Sequence, residues 1–389
     1  MLDVKFNGNR LREARRFRAK SITDLADDIG VTKQMVSKYE NDKAVPSLEV
    51  LFRIISNLKF PREFFFGEDT FAMETEGTFF RSRLTSTQKE KKPSEFTKNM
   101  TVLIRDFLEN YIDFPQLPIK PVIDKFDSIE AIAEQARKEF GLSDKPITNI
   151  LRILEEHGFV VSLISNNMEK VDAFSSQTKI NGNIYYTVVL EGEEYSYYRQ
   201  QFSIAHELGH WILHSEVLDP QSLEKEEYRE MEDEADEFAA CFMLPREAFS
   251  KDVSLDPLNL DYYVNLKKKW QISIGAMVMR AFNLGIISSE DYQKLQRQIS
   301  YRKWRTNEPL DNIKSISKPI ALKQAIELLV ENSVFKGHEI PKEILKKYNV
   351  LLPTEFIEEI TNVERGYLEY QEPQIVTLVS EREKNHSEA

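Results

Sequence analysis

The segment FSIAHELGHWILH, residues 202–214, limits this chain more than any other stretch. Ile204, Ala205, Leu208, Trp211, Ile212 and Leu213 make it apolar nearly all round, so as a helix it must be buried. Yet it carries His206, Glu207, His210 and His214, and so holds three of the chain's six histidines. On a helix, positions i and i+4 share a face about one turn apart. His206 and His210 can therefore grip one ion. Glu207, one step round, can reach a water on that ion without being a ligand.

Two imidazoles are too few, because catalytic zinc usually has three protein ligands and an open position. His214 lies ~12 Å farther along a straight helix than His206. It reads as a packing or supporting residue, and His157, His338 and His386 as ordinary surface or cap residues. A third histidine beyond a turn would need Gly and then His at later spacing, but those positions are Leu213 and Glu216. A carboxylate from a following helix remains, and Glu232-Asp233-Glu234-Ala235-Asp236 offers one. Glu232 is the choice, because Asp236 then lies at i+4 and can accept the other N–H of a liganding histidine. Glu234 is the fallback. The expected cofactor is Zn2+ and the expected chemistry is peptide hydrolysis, with Glu207 as the base. The oxyanion donor stays open among several tyrosines. The strand read at 184–190 is taken to offer an edge to an extended peptide.

Composition narrows the setting. Cys241 is the only cysteine, which excludes an internal disulfide and a cysteine-rich metal cluster. No run approaches the ~20 apolar residues of a membrane span, and the first residues lack the apolar core of a secretory signal. The expectation is a soluble, cytoplasmic protein of two to four domains. Net charge is −12, but it is unevenly spread. Residues 1–60 carry a balance of +4 and the remainder −16. Any nucleic-acid contact is thus confined to the head.

That head has its own pattern. In SITDLADDIGVTKQMVSKYE, residues 21–40, Ser21 can cap a helix with Asp24 as its capping-box partner. Ala26 is small where two helices cross, Gly30 supplies a permissive turn, and Thr32 caps the next helix. Val36 and Tyr39 give that helix a buried face. This is helix-turn-helix spacing. Leu11, Leu25, Ile29, Leu48, Leu51 and Ile54 are read as its core. Lys33, Gln34, Ser37 and Lys38 would face bases in the major groove. Arg12, Arg15, Arg16 and Lys43 would contact phosphates.

Along the chain, 1–66 reads as the DNA-binding head and 67–95 as a polar linker. Residues 96–127 read as a connecting helical segment. An α+β domain over 128–250 follows, with strands at 159–165 and 184–190 and helices at 197–214 and 226–243. Residues 251–312 read as a helical extension. Residues 313–389 read as a helical region with three helices and one or two terminal strands over 366–380. The fold class is mainly α with an α+β part.

Two segments then resemble known families. Residues 8–66, with YENDKAVPS after the second helix of the motif, resemble the Xre-type, lambda-repressor-like helix-turn-helix. Residues 128–250, with FSIAHELGHWILH and EDEADEFAACFMLP, resemble the ImmA/IrrE metallopeptidases. Residues 258–305 are similar to the segment after the peptidase in fused proteins of this kind. The resemblance implies a gluzincin-like zinc site with His206, His210 and Glu232 as ligands and Glu207 catalytic. Asp236 stands where that family often has Asn. The resemblance implies a regulator that cleaves a helix-turn-helix repressor or an antitoxin-like protein in a stress or mobile-element response. The competing expectation is a non-proteolytic DNA-binding regulator that uses the peptidase fold as a sensor or protein-interaction module. Double-stranded DNA and a protein substrate are the expected partners. A homodimer is expected if the operator is two-fold.

Overall fold

A computed structural model describes residues 5–80, 88–120, 125–164, 173–191, 196–217 and 220–370. Four short helices form the head: α1 (Gly8–Phe17), α2 (Ile22–Ile29), α3 (Lys33–Glu40) and α4 (Leu48–Leu58). Their ends follow the side chains. Ser21 and Asp24 form the reciprocal capping box that starts α2, and Thr32 and Ser47 cap α3 and α4. Gly30 turns the chain between α2 and α3 with φ 66°, a conformation that other residues reach only with strain. Leu11, Leu25, Ile29, Val36, Leu51 and Ile54 are buried. Leu48 is not: it is 67% exposed. As the first residue of α4, its side chain points back past the helix end instead of onto the neighbouring helices.

The body is built on a four-stranded sheet in the order β1-β3-β4-β2. The strands are β1 (Met73–Phe80), β2 (Val160–Ile164), β3 (Ala173–Ile180) and β4 (Asn183–Glu191). β2 runs parallel to β4, and the other pairs are antiparallel. Asn181 and Gly182, both at positive φ, form the tight turn between β3 and β4. Alternation divides the sheet's side chains between two cores. Val161, Tyr186, Val188 and Leu190 join the first. Val160 and Tyr185 join the second.

The first core holds α6 (Ile129–Glu139), α7 (Ile150–Glu156), α8 (Tyr197–Leu213) and α9 (Lys225–Met243). It continues without a break into α10 (Arg246–Val253), α11 (Leu260–Trp270), α12 (Ile274–Asn283) and α13 (Ser289–Tyr301). The second core holds the head, α5 (Gln88–Leu108) and the helices α14 (Ala321–Glu331), α15 (Ile340–Tyr348) and α16 (Thr354–Thr361). Phe17 of the head meets Phe96 of α5 at 5.0 Å and Phe356 of α16 at 5.1 Å between ring centroids. Asp106 on α5 accepts hydrogen bonds from Tyr185 of β4 at 3.0 Å and Tyr348 of α15 at 2.5 Å. The 313–370 region thus packs the head against the sheet.

The structure departs from the sequence reading of linker and strands in four places. The expected linker 67–95 contains β1, which pairs along β3, and the start of α5. Its polar alternation, METEGT, is that of a strand at a sheet edge, where one side has no neighbour. β3 escaped notice because AFSSQTKI carries hydroxyls where a strand usually shows Val or Ile, and Ser175, Ser176 and Thr178 are all fully buried. The strand expected to offer a peptide-binding edge is β4, which is interior, with β3 on one side and β2 on the other. Of the terminal strands expected over 366–380, residues 366–369 form a turn, and 371–380 lie outside the described residues.

Candidate metal centre and nucleic-acid interface

The apolar helix α8 seats on the sheet through Trp211, whose ring meets Phe159 edge-on at 5.0 Å and Tyr186 at 6.2 Å. Gln201 Oε1 accepts the Ile150 backbone N–H at 2.9 Å, tying α8 to α7. On its other side α8 meets α9 closely at Gly209. A Cβ there would stand 3.2 Å from the Cα and carbonyl oxygen of Ala235 and from Phe238 Cδ1. The small residue lets α9 approach closely enough for its acidic face to reach the histidines of α8.

His206, His210 and Glu232 converge as a result. The two Nε2 atoms are 3.0 Å apart, and each stands 3.5 Å from a carboxylate oxygen of Glu232. Ligands at 2.0–2.1 Å around a tetrahedral ion are separated by ~3.3 Å, so the triangle has the size of one face of such a site. His206 is 1% exposed and His210 0%.

The outer ring nitrogens decide what the inner ones present. His206 Nδ1 lies 2.7 Å from Asp236 Oδ1. A carboxylate can only accept, so Nδ1 carries the proton and Nε2 is left with a lone pair. His210 Nδ1 lies 3.1 Å from His214 Nδ1, and His214 Nε2 lies 2.9 Å from Glu234 Oε2. Glu234 accepts from His214 Nε2–H, so His214 Nδ1 accepts from His210 Nδ1–H. The Nε2 of His210 is then also a lone pair. These tautomers are assigned from the network.

Two lone pairs and a carboxylate meeting at one point require a positive centre between them. It is either a proton on one of the imidazoles or a cation. Burial pushes the His210 imidazolium down to about 3, so the ring is neutral near pH 7. Burial alone would raise the Glu232 carboxyl. Its contacts with His206 and His210 hold it instead at about 2, which keeps Glu232 a carboxylate. Two neutral imidazoles and one carboxylate suit a borderline divalent ion such as Zn2+.

Glu207 is fully buried beside His206 on α8. Its charge, after burial itself, adds to the upward push on the Tyr186 phenol, so the two side chains share one environment. Tyr186 donates its hydroxyl to Ser175 Oγ at 3.0 Å. Glu234, the fallback ligand from the sequence, stands on His214 and not at the convergence point. The relay through His214 could have been suspected only from its i+4 spacing to His210.

In the head, Lys33, Gln34 and Lys38 are exposed on α3 and Ser37 is half-buried. Arg16 and Lys43 are also exposed. Arg15 does not belong with them. It is 7% exposed and forms a two-point ion pair with Glu40, Nε to Oε1 at 2.5 Å and Nη2 to Oε2 at 2.9 Å. Arg12 bonds the Glu40 carbonyl at 2.7 Å and Asn41 Oδ1 at 2.9 Å. From the sequence, Arg12, Arg15 and Arg16 looked equally free. The structure uses Arg15 to fix α1 against the end of α3. Among the described residues, no helix is long and apolar enough to cross a membrane.

Comparison with known families agrees with this division. Residues 11–65 match the helix-turn-helix family model. Residues 154–282 match the IrrE N-terminal-like domain of the M78 peptidase group. The second match runs beyond residue 250 through α10, α11 and most of α12, as the unbroken first core does. No curated protein matches the chain. The chain is an Xre-type, DNA-binding helix-turn-helix domain fused to an IrrE/ImmA-like peptidase-family domain.

Proposed function

We propose that this DNA-binding regulator is also a zinc-dependent endopeptidase that cuts a helix-turn-helix repressor or an antitoxin-like protein. The observation that carries the reading is the pair of inward lone pairs on His206 and His210, set by Asp236 and by the His214–Glu234 relay, facing Glu232. His206, His210 and Glu232 would hold the ion. When bound, zinc lowers the pKa of a water and polarises a carbonyl. Glu207 takes a proton from the attacking water and returns it to the leaving amine. Its burial excludes bulk water, which strengthens the charge it exerts on the reacting atoms. Asp236 and His214 keep the imidazoles oriented. A substrate strand that extends the sheet would add at β1 or β2, the edges among the described strands.

A second reading has its own support. The head shares a core with α5 and the C-terminal helices, so a change in the body can reach the head without cleavage. In that reading the peptidase fold is a sensor. Glu207→Gln separates the two. The proteolytic reading expects the variant to keep one zinc per chain and operator binding, and to lose cleavage of a co-expressed repressor and the regulatory response. Normal regulation by a variant that cuts nothing would establish the sensor instead, and cleavage that persists would remove Glu207 from the reaction.

A further inference from the structure

A cavity of about 280 Å³ lies where α1, β1 and α5 meet, far along the chain from the histidines and unused by the chemistry above. Its size is just under the ~300–1,000 Å³ typical of small-molecule pockets. One wall is apolar, with Phe64, Phe96 and Met100. The other is polar, with Arg10, Glu13, Asp69 and Asn99.

The polar groups are unequally committed. Arg10 is 1% exposed, and its guanidinium is spent on partners within the chain. Nε and Nη2 go to Asp69 Oδ1 at 2.9 and 2.5 Å, and Nη1 goes to the carbonyls of Phe64 and Phe66 at 3.2 and 2.9 Å. An anion entering the cavity would find its one arginine already engaged. Acceptors, by contrast, remain. Glu13 is half-buried, and among the described residues the buried Asn99 Oδ1 has no donor. Burial and the nearby Asp69 push the Glu13 carboxyl up to about 7, against the pull of Arg10, Arg16 and Arg12. The cavity thus holds one balanced ion pair, one carboxyl without a cation of its own, and one amide oxygen without a donor.

We infer that this cavity is a binding site for a small organic cation, an ammonium on a short apolar or aromatic body. The ammonium would donate to Glu13 and to Asn99, whose amide can turn its oxygen inward. The body would lie against Phe64, Phe96 and Met100, where aromatic faces also favour a cation. The walls come from the DNA-binding head, from the strand after it and from α5. A ligand there contacts all three.

The test uses the full chain and phenethylamine as the probe, with phenethyl alcohol and phenylacetate as neutral and anionic counterparts. Isothermal titration calorimetry near pH 7.5 is expected to show amine binding at least about tenfold tighter than either counterpart. Glu13→Gln, with an unchanged thermal midpoint, is expected to weaken the amine by about tenfold and leave the alcohol unaffected. If that variant does not fold, Met100→Phe, which fills the apolar wall, is expected to abolish amine binding. Absence of heat and of a thermal shift at millimolar amine would overturn the inference. So would equal binding of the alcohol, or undiminished amine binding by the folded variants.

Discussion

Replacing Gly209 with alanine sets two effects of opposite sign against each other. Within a helix, alanine is favoured over glycine by ~1 kcal/mol. Gly209 sits inside α8, so propensity alone makes Gly209→Ala stabilising. The new Cβ, however, would stand 3.2 Å from two backbone atoms of Ala235 and from Phe238 Cδ1. Backbone cannot rotate away as a side-chain tip can, so α9 must give by a few tenths of an ångström. Overpacking of this kind costs ~1–3 kcal/mol. The sum runs from about neutral to a loss of ~2 kcal/mol. The metal centre feels the shift more, because Ala235 lies between Glu232 and Asp236 on α9. Moving their backbone lengthens both the Glu232 contact with the two imidazoles and the 2.7 Å Asp236 bond that orients His206. Loss of such an orienting contact lowers metal affinity by ~10–100-fold. The assay is a urea titration of metal-free protein beside zinc affinity measured by chelator competition. The expected result is unchanged or lowered stability with zinc affinity at least tenfold weaker. A variant more stable by ~1 kcal/mol with unaltered zinc affinity would show that only helix propensity matters there. Close approach of α9 to α8 at Gly209 would then not set the metal centre.

Other perturbations probe the remaining inferences. Glu234→Gln removes an obligate acceptor from His214, so zinc affinity is expected to fall by ~10–100-fold while the thermal midpoint stays put; an unchanged affinity would refute the relay. Arg15→Ala leaves the buried Glu40 with only the longer Arg12 contact at 3.6 Å, with an expected cost of up to ~3–5 kcal/mol in head stability by chemical denaturation. Arg16→Ala, at an exposed position, is expected to leave stability unchanged, weaken DNA binding uniformly across sequences and reduce the salt slope by ~1. Metal-free protein is expected to lose stability on acidification. The His210 folded-state pKa of about 3 lies below its unfolded value, so the unfolded chain binds more protons between pH ~6.5 and ~3. Each pH unit in that window costs up to ~1.4 kcal/mol from this group. Glu232, held low, adds a loss of the same sign below pH ~4.5. Denaturation midpoints measured between pH 7 and pH 4 with and without His210→Phe check this; a variant with the same pH dependence as the wild type would contradict it.

Short-range patterns determined much of this protein from the sequence alone. The pairing of His206 with His210, the caps of α2 and α3 and the Gly30 turn depend on residues within a few positions of one another, where helix geometry fixes distance. The uneven charge of the head is likewise a sum over one segment. What escaped depends on distant residues. The sequence offered Glu232 and Glu234 as rival carboxylates. Only the packing of α9 on α8 places Glu232 against two imidazoles and Glu234 on His214. Arg15 and Arg16 are neighbours in sequence, yet one is locked to Glu40 and the other is exposed. The polar segment after the head becomes a strand only because β3, about a hundred residues later, supplies its partner. The head shares a core with the body, in which Phe17, Phe96 and Phe356 meet from three separate parts of the chain. A helix face is a local property. A sheet edge, a buried ion pair and a shared core exist only once remote segments exclude water together, and that is decided by the tertiary structure.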